Sequence, residues 1–430
     1  MKFTRIFSFM VLAGLATGAQ ATNGYFAHGY GMKAKGMGGA STASSDNAFG
    51  GANNPASIAF AGNRFDLGVD LFSPRREFTR EGGGLPGNVE SDSNYFLVPE
   101  LGYTKMVSSN LGLGITVYGN GGMNTNYKGG QINCGAGPAN LLCGSGDLGV
   151  DLMQLIVAPT AAFKIAPNHS IGISPLLGYQ RFKAEGLQAF SAISTDPANL
   201  TNRGYDKSFG YGVRLGYMGK ITPAVTIGAA YASKMRFDEF DKYKGLFAEQ
   251  GEFDIPSNWN LGVAWQATPA VKLALDYQRI NYSDVSSVSN TSQPPGCAPN
   301  PPFGPGVGAA CLGGNNGIGF GWRDIDVWKL GIEYKYSQKM TLRAGYNHGD
   351  NPIRSRDVTF NSIAPGVITD HLTLGFTYTM ANGNELTMSY MHGFSNDVTG
   401  ADNMYFPTGS TNNKIEMYQN AVGIQYSWKM

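Results

Sequence analysis

Trp328-Lys329-Leu330-Gly331-Ile332-Glu333-Tyr334-Lys335-Tyr336 carries an aromatic or aliphatic side chain at every even position and a charge or glycine at every odd one. The same beat recurs along the chain. Met340, Leu342, Ala344 and Tyr346 alternate with Thr341, Arg343, Gly345 and Asn347; Leu372, Leu374, Phe376 and Tyr378 alternate with Thr373, Gly375 and Thr377. Val422, Ile424, Tyr426 and Trp428 are set against Gly423, Gln425 and Ser427. Trp259, Leu261, Val263 and Trp265, and Phe209, Tyr211, Val213, Leu215 and Tyr217, repeat it earlier. A period of two is that of β-strands with two unlike faces. One face here is apolar and often ends in an aromatic; the other is small or polar. A sandwich would bury its apolar faces and needs no aromatics at strand ends. A wall with lipid outside, a polar lumen and aromatic girdles needs both. The expected fold is all-β, a transmembrane antiparallel β-barrel.

Composition agrees. Gly is 60 of 430 residues, roughly double the usual share of about 7%. Charged residues are 15% and aromatics 12%, yet mean hydropathy is only −0.18. Disorder would require few aromatics and high net charge. A formal charge of +1 gives no case for nucleic-acid binding.

Residues 1–21 read as a signal peptide. Lys2 and Arg5 make a basic start, Ile6 opens a short apolar run, and Ala19-Gln20-Ala21 is an A-x-A cleavage site. Removing them takes the net charge to −1. No later stretch approaches 18 consecutive apolar residues, so no spanning helix is expected. The remaining chain is then either soluble outside the inner membrane or a closed outer-membrane barrel, since lipid tolerates no unpaired backbone.

Candidate strands start near residues 63, 94, 110, 149, 168, 205, 223, 251, 269, 321, 339, 368, 384 and 414, about 14 in all. An even count places both termini in the periplasm. Short turns at Ser108-Ser109, Ala166-Pro167, Thr222-Pro223 and Asn382-Gly383 read as periplasmic. Long segments around 120–147, 185–204, 290–320 and 399–413 read as extracellular loops. Cys134 and Cys143 share one long loop, Cys297 and Cys311 another. In an exported chain these read as two disulfides. Zinc is the alternative, but the spacings are not those of a zinc site and neither loop holds a His. No metal or other cofactor is expected.

The boundaries expected are a hatch over residues 22–62 and the barrel over 63–430. The hatch segment lacks a clean strand and contains Gly36-Met37-Gly38-Gly39-Ala40 and Asn53-Asn54-Pro55-Ala56. A barrel wider than about eight strands does not fill its own interior, so a plug has room. A short hatch ending in Asn54, Pro55 and Ala56 and opening into a barrel resembles the FadL-type outer-membrane hydrocarbon and long-chain fatty-acid transporters. Thr116-Val117-Tyr118-Gly119 resembles the start of that family's kinked third strand. Ile255-Pro256-Ser257-Asn258-Trp259 resembles its Leu-Pro-Glu-x-Trp strand opening. Trp322-Arg323-Asp324 and Ser389-Tyr390-Met391-His392-Gly393 match two further family segments. The Met430 end and the Cys-stapled loops depart from the pattern.

The resemblance implies passive uptake of a hydrophobic ligand, most often a long-chain fatty acid. Extracellular loops capture it, the hatch's N-terminal peptide gates it, and a kink in the third strand releases it sideways. Thr22, Tyr25 and Phe26 would form that peptide. Tyr179, Arg181 and Lys183 match a family Tyr-x-Arg-x-Lys pattern suited to a carboxylate, although Arg181 shares parity with lipid-facing Ile171 and Leu177 and can equally snorkel. Arg214 and Arg343 have inward parity and are alternatives. Tyr118, Gly119, Gly121 and Gly122 would mark the exit, with an ordinary strand-to-loop turn the competing reading. Expected partners are a fatty acid or hydrocarbon, outer-membrane lipids and lipopolysaccharide, and the barrel assembly machinery, for a monomer. No catalytic residue is assigned: Gly144-Ser145-Gly146-Asp147-Leu148-Gly149 opens no helix, no G-x-S-x-G occurs, and the five His are scattered. The alternative function is a non-specific porin or a surface adhesin or receptor.

Overall fold

The computed structural model describes residues 22–82, 86–134, 137–298, 305–402 and 411–430. The expected signal peptide lies outside the described residues. Among those described, fourteen antiparallel strands form the wall: β1 Arg64–Gly82, β2 Phe96–Met106, β3 Leu111–Tyr127, β4 Leu148–Ala166, β5 His169–Glu185, β6 Asp206–Lys220, β7 Val225–Ala232, β8 Asn258–Gln266, β9 Val271–Ile280, β10 Ile325–Lys335, β11 Met340–Gly349, β12 Asp370–Thr379, β13 Glu385–Asp402 and β14 Thr411–Lys429. Each pairs with its neighbours in sequence, and β1 pairs with β14 from Arg64↔Lys429 to Gly82↔Thr411, which closes the ring. Closure removes the free first and last strands of an open sheet.

Alternate connections are tight and long. All four short turns expected from the sequence lie at the end that also holds Arg64 and Lys429. The strand expected to start near residue 251 begins only at Asn258, because residues 233–257 form a packed connection with Pro256 at its close. The segment at 120–127 also departs: it is not loop but the far half of β3.

The alternation holds on the wall. On β10, Leu330 is 54% exposed on the lipid side while Lys329 and Glu333 are buried inside. The inner face is most densely polar toward the tight-turn end, with Asp66, Asp70, Asp276, Thr373 and Gln425. Toward the long-loop end the inner positions turn apolar, with Phe72, Phe78, Leu152, Leu176, Phe182 and Val327. Above them the long loops build a core of their own. Phe182 packs on Tyr243 and Phe247 at 4.9 and 4.7 Å between ring centres, and Phe320 on Phe360 at 5.1 Å. Disulfides join Cys134 to Cys143 and Cys297 to Cys311.

Residues 22–62 sit inside the barrel as short helices and turns, touching strands around its circumference. Wall glycines let the backbone come close. A side chain at Gly345 would overlap the backbone at Met37 and Gly38, one at Gly331 would stand 2.7 Å from the Met37 Cβ, and one at Gly375 would stand 3.1 Å from the Gly36 Cα. Gly331 and Gly345 are direct partners on β10 and β11, Gly375 lies two residues along β12 from the Gly345 partner Thr373, and together the three form the seat for 36–39. Gly345→Val is expected to leave the barrel closed and heat-modifiable on gels, but to unseat the hatch. Limited proteolysis with mass spectrometry should then show cuts within 31–62, absent from wild type and from the lipid-side control Ala344→Val. Wild-type protection in Gly345→Val would refute the seat.

Candidate functional site

The wall has one interrupted seam. β2 and β3 pair from Met106↔Gly112 to Leu101↔Val117 and no further. β2 continues to Phe96 on β1 alone, and β3 continues to Tyr127 on β4 alone. The register of β3 on β4 slips between Gly119 and Gly121, so Asn120 is a bulge that flips the parity of everything beyond it. The seam closes again where Asp92 N–H donates to the Asn126 carbonyl at 2.8 Å. Between these points lies a window whose β3 rim is Tyr118, Gly119, Asn120, Gly121 and Gly122. The ordinary-turn reading of this segment is therefore set aside: the strand runs on past it.

A backbone edge left bare in a membrane wall needs a partner. The hatch's first residues provide it. Phe26 forms an antiparallel bridge with Gly121, Ala27 N–H donates to the Asn120 carbonyl at 3.2 Å, and the Tyr30 hydroxyl donates to the same carbonyl at 3.3 Å. Tyr30 and Tyr118 pack with ring centres 4.5 Å apart. The peptide is itself folded back, with Thr22 Oγ1 donating to the Phe26 carbonyl at 2.7 Å.

Tyr25 and Phe26 fill an aromatic box. Tyr25, fully buried, lies 5.4 Å from Tyr282, 5.8 Å from Trp322 and 6.1 Å from Phe253 between ring centres. The Tyr282 hydroxyl donates to the Asn23 carbonyl at 2.6 Å and accepts from Tyr25 N–H at 3.2 Å. Burial, with Tyr282 and Asp254 near, pushes the Tyr25 hydroxyl well above its usual pKa, so it stays neutral. His28 stacks 6.2 Å from His371; burial, then His371, Lys35 and Lys329, push its imidazole well below 6.5. The box includes Trp322 of the Trp-Arg-Asp segment, whose indole N–H donates to Asn361 at 2.6 Å.

Ionic bonds hold the hatch body below the peptide. Lys35 meets Asp70 at 2.7 Å and Glu100 at 3.2 Å; burial lowers its pKa, but the two carboxylates outweigh this and raise it. Lys33 meets Glu385 at 2.8 Å, which also takes Arg64 at 3.3 Å and Lys429 at 2.5 Å. Backbone N–H groups of Ser41 and Thr42 donate to Asp276 at 2.8 Å each, and that of Ala48 to Asp66 at 2.7 Å.

The expected site residues divide on this frame. Thr22, Tyr25, Phe26, Tyr118, Gly119, Gly121 and Gly122 come together at the window. Asn54, Pro55 and Ala56 do not reach it; they pack where Gly172 and Gly216 leave room on β5 and β6, and the Asn54 amide donates to the Tyr217 carbonyl at 2.9 Å. Tyr179, Arg181 and Lys183 do not line the lumen. They keep the outward parity of Leu177, with Arg181 over the Tyr205 ring at 4.7 Å and Lys183 paired to Glu185 at 2.9 Å. No bulge on β5 turns them inward, so parity prevails over the pattern match. Arg343 faces inward but is spent on Glu333 at 2.7 Å. Arg214 faces inward and donates to the Gly51 carbonyl of the hatch at 3.3 Å. Sequence reasoning missed Tyr282, Phe253 and Trp322 as the box and Arg76 beside it. Arg76 was legible as a cation at inward parity on β1.

A family model described as "Outer membrane protein transport protein (OMPP1/FadL/TodX)" matches residues 10–429. Among solved structures the chain is similar to the toluene transporter TodX of Pseudomonas putida, with TM-score 0.67 and 19% identity. A FadL homologue of Pseudomonas aeruginosa gives 0.71 and 15%, and the toluene transporter TbuX of Ralstonia pickettii 0.63 and 17%. Each alignment covers 94% of this chain and 99% of the other. At such identities the likeness is one of fold. No curated protein matches in sequence.

Glu385→Gln removes one charge shared by three cations. The hatch should loosen by up to about 3 kcal/mol, because Lys33 and Arg64 stay buried with fewer partners. Faster proteolysis within 31–62 is the expected readout. Asp147→Asn, which breaks the exposed, solvent-screened Lys128–Asp147 pair, should leave it unchanged. Equal effects of the two would contradict an ionic anchor.

Proposed function

This chain belongs to the OMPP1/FadL/TodX family of outer-membrane transport proteins, and on that premise we propose that it is a passive channel for long-chain fatty acids, released sideways into the membrane at the β2–β3 window. The tight-turn end and both termini are periplasmic; the disulfide-stapled loop cap faces outward, where it meets lipopolysaccharide and the arriving ligand. The chain works as a monomer after insertion by the assembly machinery.

One observation carries the reading. Where β2 leaves β3, the vacant edge is filled by Phe26 and Ala27, not by wall. A strand partner drawn from a short N-terminal peptide can leave without breaking the barrel, since β3 stays bonded to β4 throughout. Tyr25 and Phe26 stand in for the ligand in the aromatic box, and an acyl chain or ring entering from the loop cap displaces them. The apolar inner face above the hatch supports this path. The polar half below opposes passage to the periplasm: each methylene exposed there forfeits about 0.8 kcal/mol. Exit through the window delivers the ligand to hydrocarbon directly.

Replacing Gly121 and Gly122 by Val fills the window rim and favours continuous pairing. Uptake of a radiolabelled hydrophobic substrate should fall about tenfold while binding at the cell surface persists. The lipid-facing control Ala229→Val should transport normally. Unimpaired uptake in a correctly folded glycine variant would move the exit elsewhere. Rapid liposome swelling with small sugars would instead favour an open porin.

A further inference from the structure

Among the lumen's buried cations, Lys33, Lys35, Arg64 and Arg343 each have a carboxylate within 4 Å, whereas Arg76, Arg214 and Lys329 form no ion pair among the described residues. Arg76 is the one of these beside the window. It is 6% exposed, forms no ion pair among the described residues, and its Nε has no partner. Its guanidinium donates to the Ser93 carbonyl and lies 5.8 Å from the Phe96 ring, both on the β2 side of the window. A buried guanidinium without a counter-ion is costly, and an anion arriving on a ligand would relieve that cost here.

The surroundings say which anion. Arg76 lines two cavities: one also holds Glu77, Glu90 and Glu416, whose charges repel an anion, and the other, smaller one is shared with Gly24 and Tyr25 of the peptide, Gly122, Met123 and Asn124 of β3, Trp322, Pro365 and Met417. Apart from Arg76 and Asn124 these offer carbon or aromatic surface. The space is about 20 Å³, room for a water or so with Tyr25 in place. A free inorganic anion would find one cation and otherwise apolar walls. A carboxylate on a long apolar tail finds both halves of its chemistry there, once Tyr25 withdraws. The cavity at Arg214 and Lys329 differs: Ser41, Thr42, Asn53, Asn258, Asn260 and Gln278 line it, so it suits water and not a tail.

We infer that Arg76 is the head-group anchor of the window, holding the carboxylate of an amphiphilic ligand while its tail passes between β2 and β3, and so selecting carboxylated lipophiles over neutral hydrocarbons. This rests on the channel reading above. Arginine suits the role because its planar donors match a carboxylate and its guanidinium sits over the Phe96 ring.

The test compares oleate with oleyl alcohol, equal in tail and different in head, on full-length protein held in amphipol. Wild type should bind oleate about tenfold tighter than the alcohol. Arg76→Gln should lose that preference while binding the alcohol within about twofold of wild type. Arg76→Lys, which keeps the charge, should retain part of it, and covers the case in which the glutamine variant fails the heat-modifiability check. An unchanged preference in folded Arg76→Gln overturns the assignment. Wild type that binds the alcohol as tightly as oleate overturns it too, with the channel reading intact. Wild type that binds neither overturns both.

Discussion

Carboxylates on the inner wall are the constraint around which this molecule is arranged. Asp66, Asp70, Glu100, Asp276, Glu333 and Glu385 are all buried within the barrel. A carboxylate sealed from water costs several kcal/mol unless it is paired and hydrogen-bonded. Lys33, Lys35 and the backbone N–H groups of residues 31–48 meet five of them directly. Hatch and wall therefore complete each other: without the hatch the carboxylates lose their partners, and without the carboxylates the hatch body loses its ionic anchor.

That division of labour decides where motion is allowed. Below the peptide, ionic bonds and the glycine seat on β10, β11 and β12 fix the hatch body. Residues 22–30 carry no salt bridge among the described residues. They are held by aromatic contacts and a few backbone hydrogen bonds to a strand edge that has no other partner. Aromatic contacts are the kind a hydrophobic ligand can replace one for one. Gating by the peptide and fixity of the body thus follow from the same distribution of charge.

Much of the wall is legible in the sequence because lipid enforces a strict period of two. The stretch 328–336 gives strand, face and girdle at once, and the short–long alternation of connections gives the order. What parity cannot show is the partner on the inside. The glycines at 331, 345 and 375 read as small lumen residues, and only the hatch pressed against them explains why nothing larger fits. Apolar residues at inward positions, such as Phe78 and Phe182, break the two-faced pattern near the loop end and were its unread signal. The third-strand window was legible as a glycine cluster, yet its decisive feature is an absent ladder between two strands, which no single segment encodes. Arg181 shows the converse: a family-like pattern pointed inward while simple parity with Leu177 pointed outward, and parity prevailed. Asn54, Pro55 and Ala56 were legible as the end of the hatch but not as a wedge against β5 and β6.

Hydrogen exchange on the protein in nanodiscs, with and without oleate, tests most directly the claim that a fixed hatch carries a mobile stopper. The account predicts that oleate speeds exchange at the amide of Ala27 and its neighbours in 22–30. The amides of Met32, Gly38, Ser41, Thr42 and Ala48, bonded to Gln425, Thr373, Asp276 and Asp66, should stay protected to the same degree. Loss of protection across both sets together would mean that the hatch moves as a whole, and would contradict it.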